Sequence, residues 1–121
     1  MNQLTIIGNL TKAPELRVTT SGHEVCNFTV AVNRRQKAAN GESVADFFRV
    51  SAWDEKARNC ATYLAKGKKV CVVGSVSVNT YTGNDGETRA QMEVMANTVE
   101  FLSPKEGYTK VEDEDNPFVG G

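Results

Sequence analysis

The chain has 121 residues and 13.2 kDa, room for one compact domain with a short appendage. At 40% apolar and 24% charged it has a soluble composition, and its longest apolar run, Val70-Cys71-Val72-Val73, is far short of the ~20 residues that cross a bilayer. The net charge of −1 divides unevenly: residues 1–104 carry 12 Lys and Arg against 10 Asp and Glu, whereas residues 105–121 carry 2 against 5. A mildly basic body with an acidic tail suits a polyanion-binding surface joined to an interaction segment. No cationic segment leads into an apolar run at the start, so no export leader is expected.

In chain order, Leu4-Thr5-Ile6-Ile7-Gly8-Asn9-Leu10 is β-branched and apolar, and reads as a strand bent at its glycine. Thr19-Thr20-Ser21-Gly22 signals a turn. Cys26, Phe28, Val30 and Val32 then alternate with Asn27, Thr29, Ala31 and Asn33, the period of a half-buried strand. Asn40-Gly41 supplies a hairpin turn. A third strand from Phe47 to Trp53 puts Phe48, Val50 and Ala52 toward a core. Beyond it the period changes. Ala57, Cys60, Ala61 and Leu64 form one helical stripe, with Asp54 as N-cap, Glu55 in the first turn and Gly67 as the stop. A fourth strand runs from Val70 to Tyr81, with Gly74 as a bend or bulge. Gly83-Asn84-Asp85-Gly86 turns the chain into a last strand, about Thr88 to Leu102. Its apolar parity slips near Thr98, the mark of a bulge.

This order predicts an all-β fold: a five-stranded OB-fold Greek-key barrel with one helix between strands 3 and 4. The barrel occupies residues 1–104. Residues 105–121 form a short acidic tail, expected to be disordered from about Gly107 because Glu112 to Asp115 repel one another.

Catalytic chemistry has little to stand on. The single histidine, His23, sits in a turn, and no phosphate-cradling or nucleophile-elbow glycine motif occurs. No catalytic or metal-binding residue and no cofactor is expected. Cys26, Cys60 and Cys71 lack C-x-x-C spacing and lie on apolar strands or the helix stripe, as structural thiols of a reducing compartment do. The aromatics say more. Phe47 and Trp53 share one face of the third strand with Arg49, and Tyr81 stands at the tip of the fourth. Rings of this kind stack on the bases of single-stranded nucleic acid, while cations hold the phosphates. Arg34, Arg35 and Lys37 on the hairpin, Lys66 and Lys68 after the helix, and Arg17 are the nearby cations. The alternative is that Phe47 or Trp53 completes the core under a loop.

Gly8-Asn9-Leu10 followed by Pro14-Glu15-Leu16-Arg17 resembles the opening of bacterial single-stranded DNA-binding proteins. Asn27 to Arg34, Phe48-Arg49-Val50 before Trp53, Tyr63-Leu64 before Lys66-Gly67, and Val99-Glu100-Phe101-Leu102 continue the likeness in order. Asp113-Glu114-Asp115-Asn116-Pro117-Phe118 is similar to the family's acidic tip, although Val119-Gly120-Gly121 follow it here. The resemblance implies a non-enzymatic subunit, usually of a homotetramer, that wraps single-stranded DNA without sequence preference in replication, repair and recombination. It implies stacking by Phe47, Trp53 and Tyr81 and phosphate contacts by Arg49 and Lys66. It further implies a cytoplasmic, nucleoid-associated protein without membrane contact, whose tail, through Asp113, Glu114, Asp115, Pro117 and Phe118, recruits partner enzymes of those processes. Three positions depart from the family: Gln36 where an aromatic is frequent, Asp54-Glu55 where basic residues are common, and a very short linker before the tip. Two other readings stay open, an OB-fold protein-interaction adaptor and an RNA-binding OB module.

Overall fold

A computed structural model describes residues 1–35 and 38–103. Gln36 and Lys37 lie outside the described residues, as does the whole expected tail. The described chain is mostly β with one short helix. Its elements are β1 (Leu4–Leu10), β2 (Glu15–Val18), β3 (Glu24–Asn33), β4 (Ala45–Trp53), α1 (Glu55–Tyr63), β5 (Lys69–Thr82) and β6 (Thr88–Phe101). Six strands therefore stand where five were expected. The addition is β2, Glu15-Leu16-Arg17-Val18, whose alternation runs for only four residues and which is exposed throughout, too little to announce a strand.

All six strands belong to one sheet, ordered β1-β5-β6-β4-β3-β2, and β1 also pairs with β3. That last pairing brings the sheet round into a ring of β1, β5, β6, β4 and β3. β3 divides its free edge: Glu24 to Asn27 take β2, and Val30 and Ala31 take the end of β1. Every pairing is antiparallel except β4 with β6, which is parallel over three residue pairs. Two glycines permit the close approaches. A Cβ on Gly8 would collide with the Ala31 carbonyl oxygen, and one on Gly74 with that of Met95. The β5–β6 register shifts between Val73 and Gly74, which face Thr98 and Ala96, so Asn97 is the extra residue of a bulge. The parity slip beside Thr98 marked this spot.

Inside the ring lie Ile6, Leu10, Cys26, Phe28, Val30, Phe48, Val50, Ala52, Val70, Val72, Val94 and Ala96, all buried. α1 packs on β3 and β4 and adds Ala57, Cys60 and Leu64 to the same core, with Ala61 partly buried beside them. An ion pair of 2.5 Å from Arg58 to Glu24 ties the helix to β3. Both expected helix ends need correction. Asp54 occupies the N-cap but makes no capping hydrogen bond, because its backbone sits at φ 56°, ψ −120° and turns its carboxylate elsewhere. The helix stops at Tyr63 rather than near Gly67, because Leu64 swings into extended backbone and drops its side chain into the core. Gly67, at φ 86°, shapes the following turn instead and donates its N–H to the Leu10 carbonyl.

Candidate nucleic-acid interface

β4 alternates strictly. Phe48, Val50 and Ala52 are buried, and Phe47, Arg49, Ser51 and Trp53 therefore face away from the core. Phe47 is 56% exposed and Trp53 37%, too much for rings that complete a core. From Phe47 to Trp53 the strand advances roughly 20 Å at ~3.3 Å per residue.

Strand register places the neighbours of this row. Trp53 stands opposite Val25 of β3, which faces Arg17 of β2. Ser51 donates a 2.9 Å hydrogen bond to Asn27 and faces Met95 on its other side. Arg49 lies between Thr29 and Glu93, and Phe47 faces Ala31. Arg49 also lines a cavity of about 140 Å³ with Lys12, Glu15 and Asn27. Lys12 thus joins the cations of this face, although in sequence it stands in a short polar connection with nothing to single it out.

The other expected site residues are distributed less evenly. Arg34 lies at the base of the β3–β4 hairpin, but its guanidinium is engaged by Asp46 through Nε and Nη2, at 2.7 Å for the shortest contact. The Arg34 guanidinium holds the Asp46 carboxyl below its ordinary range, and Asp46 in turn raises that of Arg34. Much of Arg34's charge is therefore answered within the protein. Arg35 is exposed in the same hairpin. Lys66 is exposed in the turn that Gly67 fastens to β1. Tyr81, 50% exposed, is carried on the long β5–β6 arm opposite Arg89. Because β6 runs parallel to β4, this arm projects past the Phe47 end of β4. The structure thus unites Phe47, Arg49, Trp53 and Arg17 on one face, holds Tyr81 out on the arm, and leaves Lys66 in a separate loop.

Two further cavities meet at Trp53 and Met95. One, about 300 Å³, opens over β5 and β6 and is lined by Asn2, Ser51, Ser75, Ser77 and Glu93 as well. Asn2 is fixed there by donating to the Val76 carbonyl at 2.7 Å and accepting from the Val76 N–H at 3.0 Å. The other, about 390 Å³, is completed by His23, Asp54, Ala96 and Asn97. His23 Nδ1 and Asp54 Oδ1 lie 3.3 Å apart. Met95, 55% exposed, falls between the apolar positions Val94 and Ala96 of β6, so strand alternation turns it outward, and the parallel pairing sets it beside Ser51. No helix among the described residues is long and apolar enough to cross a membrane, and no cluster of His, Cys, Asp and Glu among them would hold a metal ion.

The profile of the Single-strand binding protein family matches residues 1–102. The chain is 43% identical over 106 residues to single-stranded DNA-binding protein 1 of Clostridium acetobutylicum, covering 87% of this chain and 96% of that protein. Single-stranded DNA-binding protein 3 of Listeria innocua is also 43% identical over 106 residues, covering 88% of this chain but 66% of its own length. The single-stranded DNA-binding protein of Halalkalibacterium halodurans is 39% identical over all 121 residues, which is 72% of its length.

Proposed function

The chain belongs to the single-strand binding protein family, and from that premise we propose that it binds single-stranded DNA through the outer face of β4. Members of this family are DNA-binding proteins rather than enzymes. The observation that carries the reading is the row Phe47, Arg49, Trp53: two exposed rings with a cation between them on one rigid strand. Bases stack on the rings and the guanidinium neutralises phosphate, so the strand is held extended whatever its sequence. Lys12 and Arg17 widen the cationic track, and Tyr81 offers a ring where the DNA leaves the body along the β5–β6 arm. Arg35 and Lys66 serve as outlying phosphate contacts. The sequestered strand is protected for replication, repair and recombination.

The ring of strands is, on this reading, the OB-fold barrel, with β2 as an added flap on β3. The domain spans residues 1–104 and the acidic tail 105–121, where Asp113, Glu114, Asp115, Pro117 and Phe118 dock partner enzymes. The protein works as a homotetramer inside the cell. The exposed edge of β1 supports that assembly: Leu4 to Gly8 pair only with β5 among the described residues, and Ile7 is 49% exposed. An unpaired edge of this kind is a liability unless covered.

Trp53 is the only tryptophan, so its fluorescence reports on the face directly. Titration with poly(dT), poly(rU) and duplex DNA at two salt concentrations should show quenching by poly(dT) alone, weakening steeply as salt rises. Equal quenching by poly(rU) would move the assignment to RNA. Absence of quenching by any polymer would leave β4 a protein-docking face.

A further inference from the structure

We propose that the cavity between Trp53 and Asn97 is a nucleobase-edge subsite, in which the Asp54 carboxylate favours a base bearing an exocyclic amino group, such as cytosine, over thymine. The inference rests on the reading of β4 as the DNA-binding face and adds to it a selectivity that stacking alone does not provide.

The walls divide by chemistry. Trp53, Met95 and Ala96 supply apolar surface, and His23, Asp54 and Asn97 supply polar groups. A base lying on the Trp53 ring here turns its edge toward those three. Asp54 directly follows the stacking residue, and its placement is costly. At φ 56°, ψ −120° it holds a conformation that glycine adopts freely and that strains a residue with a Cβ. Strain of this kind persists only where the surroundings enforce it. Here the Asp54 N–H donates to the Glu24 carbonyl at 2.8 Å and its carbonyl accepts from the Arg58 N–H at 3.1 Å, which holds the backbone. Its Oδ1 lies 3.3 Å from His23 Nδ1, and the His23 backbone N–H donates to the Thr19 hydroxyl at 3.2 Å. Among the described residues no hydrogen bond occupies Oδ2 of Asp54.

An ionised carboxylate accepts and never donates. Cytosine presents its N4 amino group as a donor where thymine presents O4, an acceptor. Beside Asp54 a cytosine gains a charge-assisted hydrogen bond, whereas a thymine sets oxygen against oxygen. Asn97, the bulge residue of β6, both donates and accepts, so it can hold either base and leaves the choice to Asp54. Asp54 also disfavours phosphate nearby, which confines the subsite to a base edge.

The test compares equal-length oligo(dC) and oligo(dT) on the full chain and on Asp54→Gly and Asp54→Asn, read by Trp53 quenching. Glycine suits the backbone at this position, and asparagine tolerates it, so both variants keep the fold. Removing Asp54 should lower the (dC)/(dT) affinity ratio by about five- to tenfold in Asp54→Gly, and by less in Asp54→Asn, whose amide still accepts. Binding of oligo(dT) itself should hold or improve. A ratio that stays within twofold of the wild type, with both oligonucleotides still bound, would overturn the subsite and leave the DNA-binding face intact. Failure of the wild type to bind either oligonucleotide would overturn both.

Discussion

Phe47 and Trp53 differ in what surrounds them. Phe47 stands in the open beside Ala31, whereas Trp53 is flanked by two cavities and by Met95. Alanine at either position should weaken poly(dT) binding by about 1–3 kcal/mol, the value of one stacked base. The Trp53→Ala loss is best read by a gel or filter assay, because the fluorophore goes with it. Wild-type affinity in folded variants would contradict the stacking role. A different kind of residue effect concerns Cys60, fully buried where α1 meets the ring. Burial, with a small addition from Cys26, pushes its thiol up from near 9 to about 12. The folded chain thus resists forming the thiolate that the unfolded chain forms readily. Cys60's contribution is complete below about 9 and is lost progressively as pH rises toward 12. The denaturant midpoint should fall over that range, and the fall should shrink in Cys60→Ala even if that variant is less stable overall. Residue-level legibility follows the range of the interaction. The outward row of β4 was legible because strand alternation is built into the backbone. Neither the capture of Arg34 by Asp46 nor the strained turn at Asp54 was, since the first depends on hairpin register and the second on a dihedral angle that no side-chain type announces.

Elements with a buried face announced themselves. The stripe of Ala57, Cys60 and Leu64 marked α1, and the alternations of β3 and β4 marked those strands, because burial on one face imposes the period. Exposed β2 alternates over only four residues and buries neither face, so its signal was too short to read, and Asp54 at the helix start fits the composition of a cap without doing a cap's work. The bulge on β6 was legible as a break in parity, and its glycine partner carries a prediction. Gly74→Ala drives a methyl group into the Met95 carbonyl, so the β5–β6 pair must part locally or shift. The cost should be about 1–3 kcal/mol, typical of overpacking, and should appear as a lower Tm. A variant as stable as the wild type would show that the bulge yields more freely than a tight crossing allows. DNA affinity should fall as well, because the same displacement moves Met95 and Asn97 at the edge of the Trp53 cavities.

For the molecule as a whole, element order in the sequence indicated a closed β architecture, but the partners of each strand came only from the structure. The parallel β4–β6 pairing and the double use of β3's edge join residues distant in the chain, where short-range periodicity carries no information. Assembly is expected at this scale. Light scattering at micromolar concentration should return about four times the 13.2 kDa chain mass. A persistent single-chain mass would mean that the β1 edge is tolerated bare.

The ring's connectivity also has a temporal consequence. β6 is the last described strand, yet it is wedged between β5 and β4, so the β6-facing edge of β4 has no partner until the chain has been made through Met95. With synthesis at roughly 5–20 residues per second, β3 and β4 wait seconds for closure. A nascent chain arrested between β5 and β6 should thus remain open to protease, and protection should arrive abruptly once β6 has cleared the ribosome. The proposed DNA-binding face would be completed in that single late step, so a prematurely terminated chain would lack even a weakened version of it.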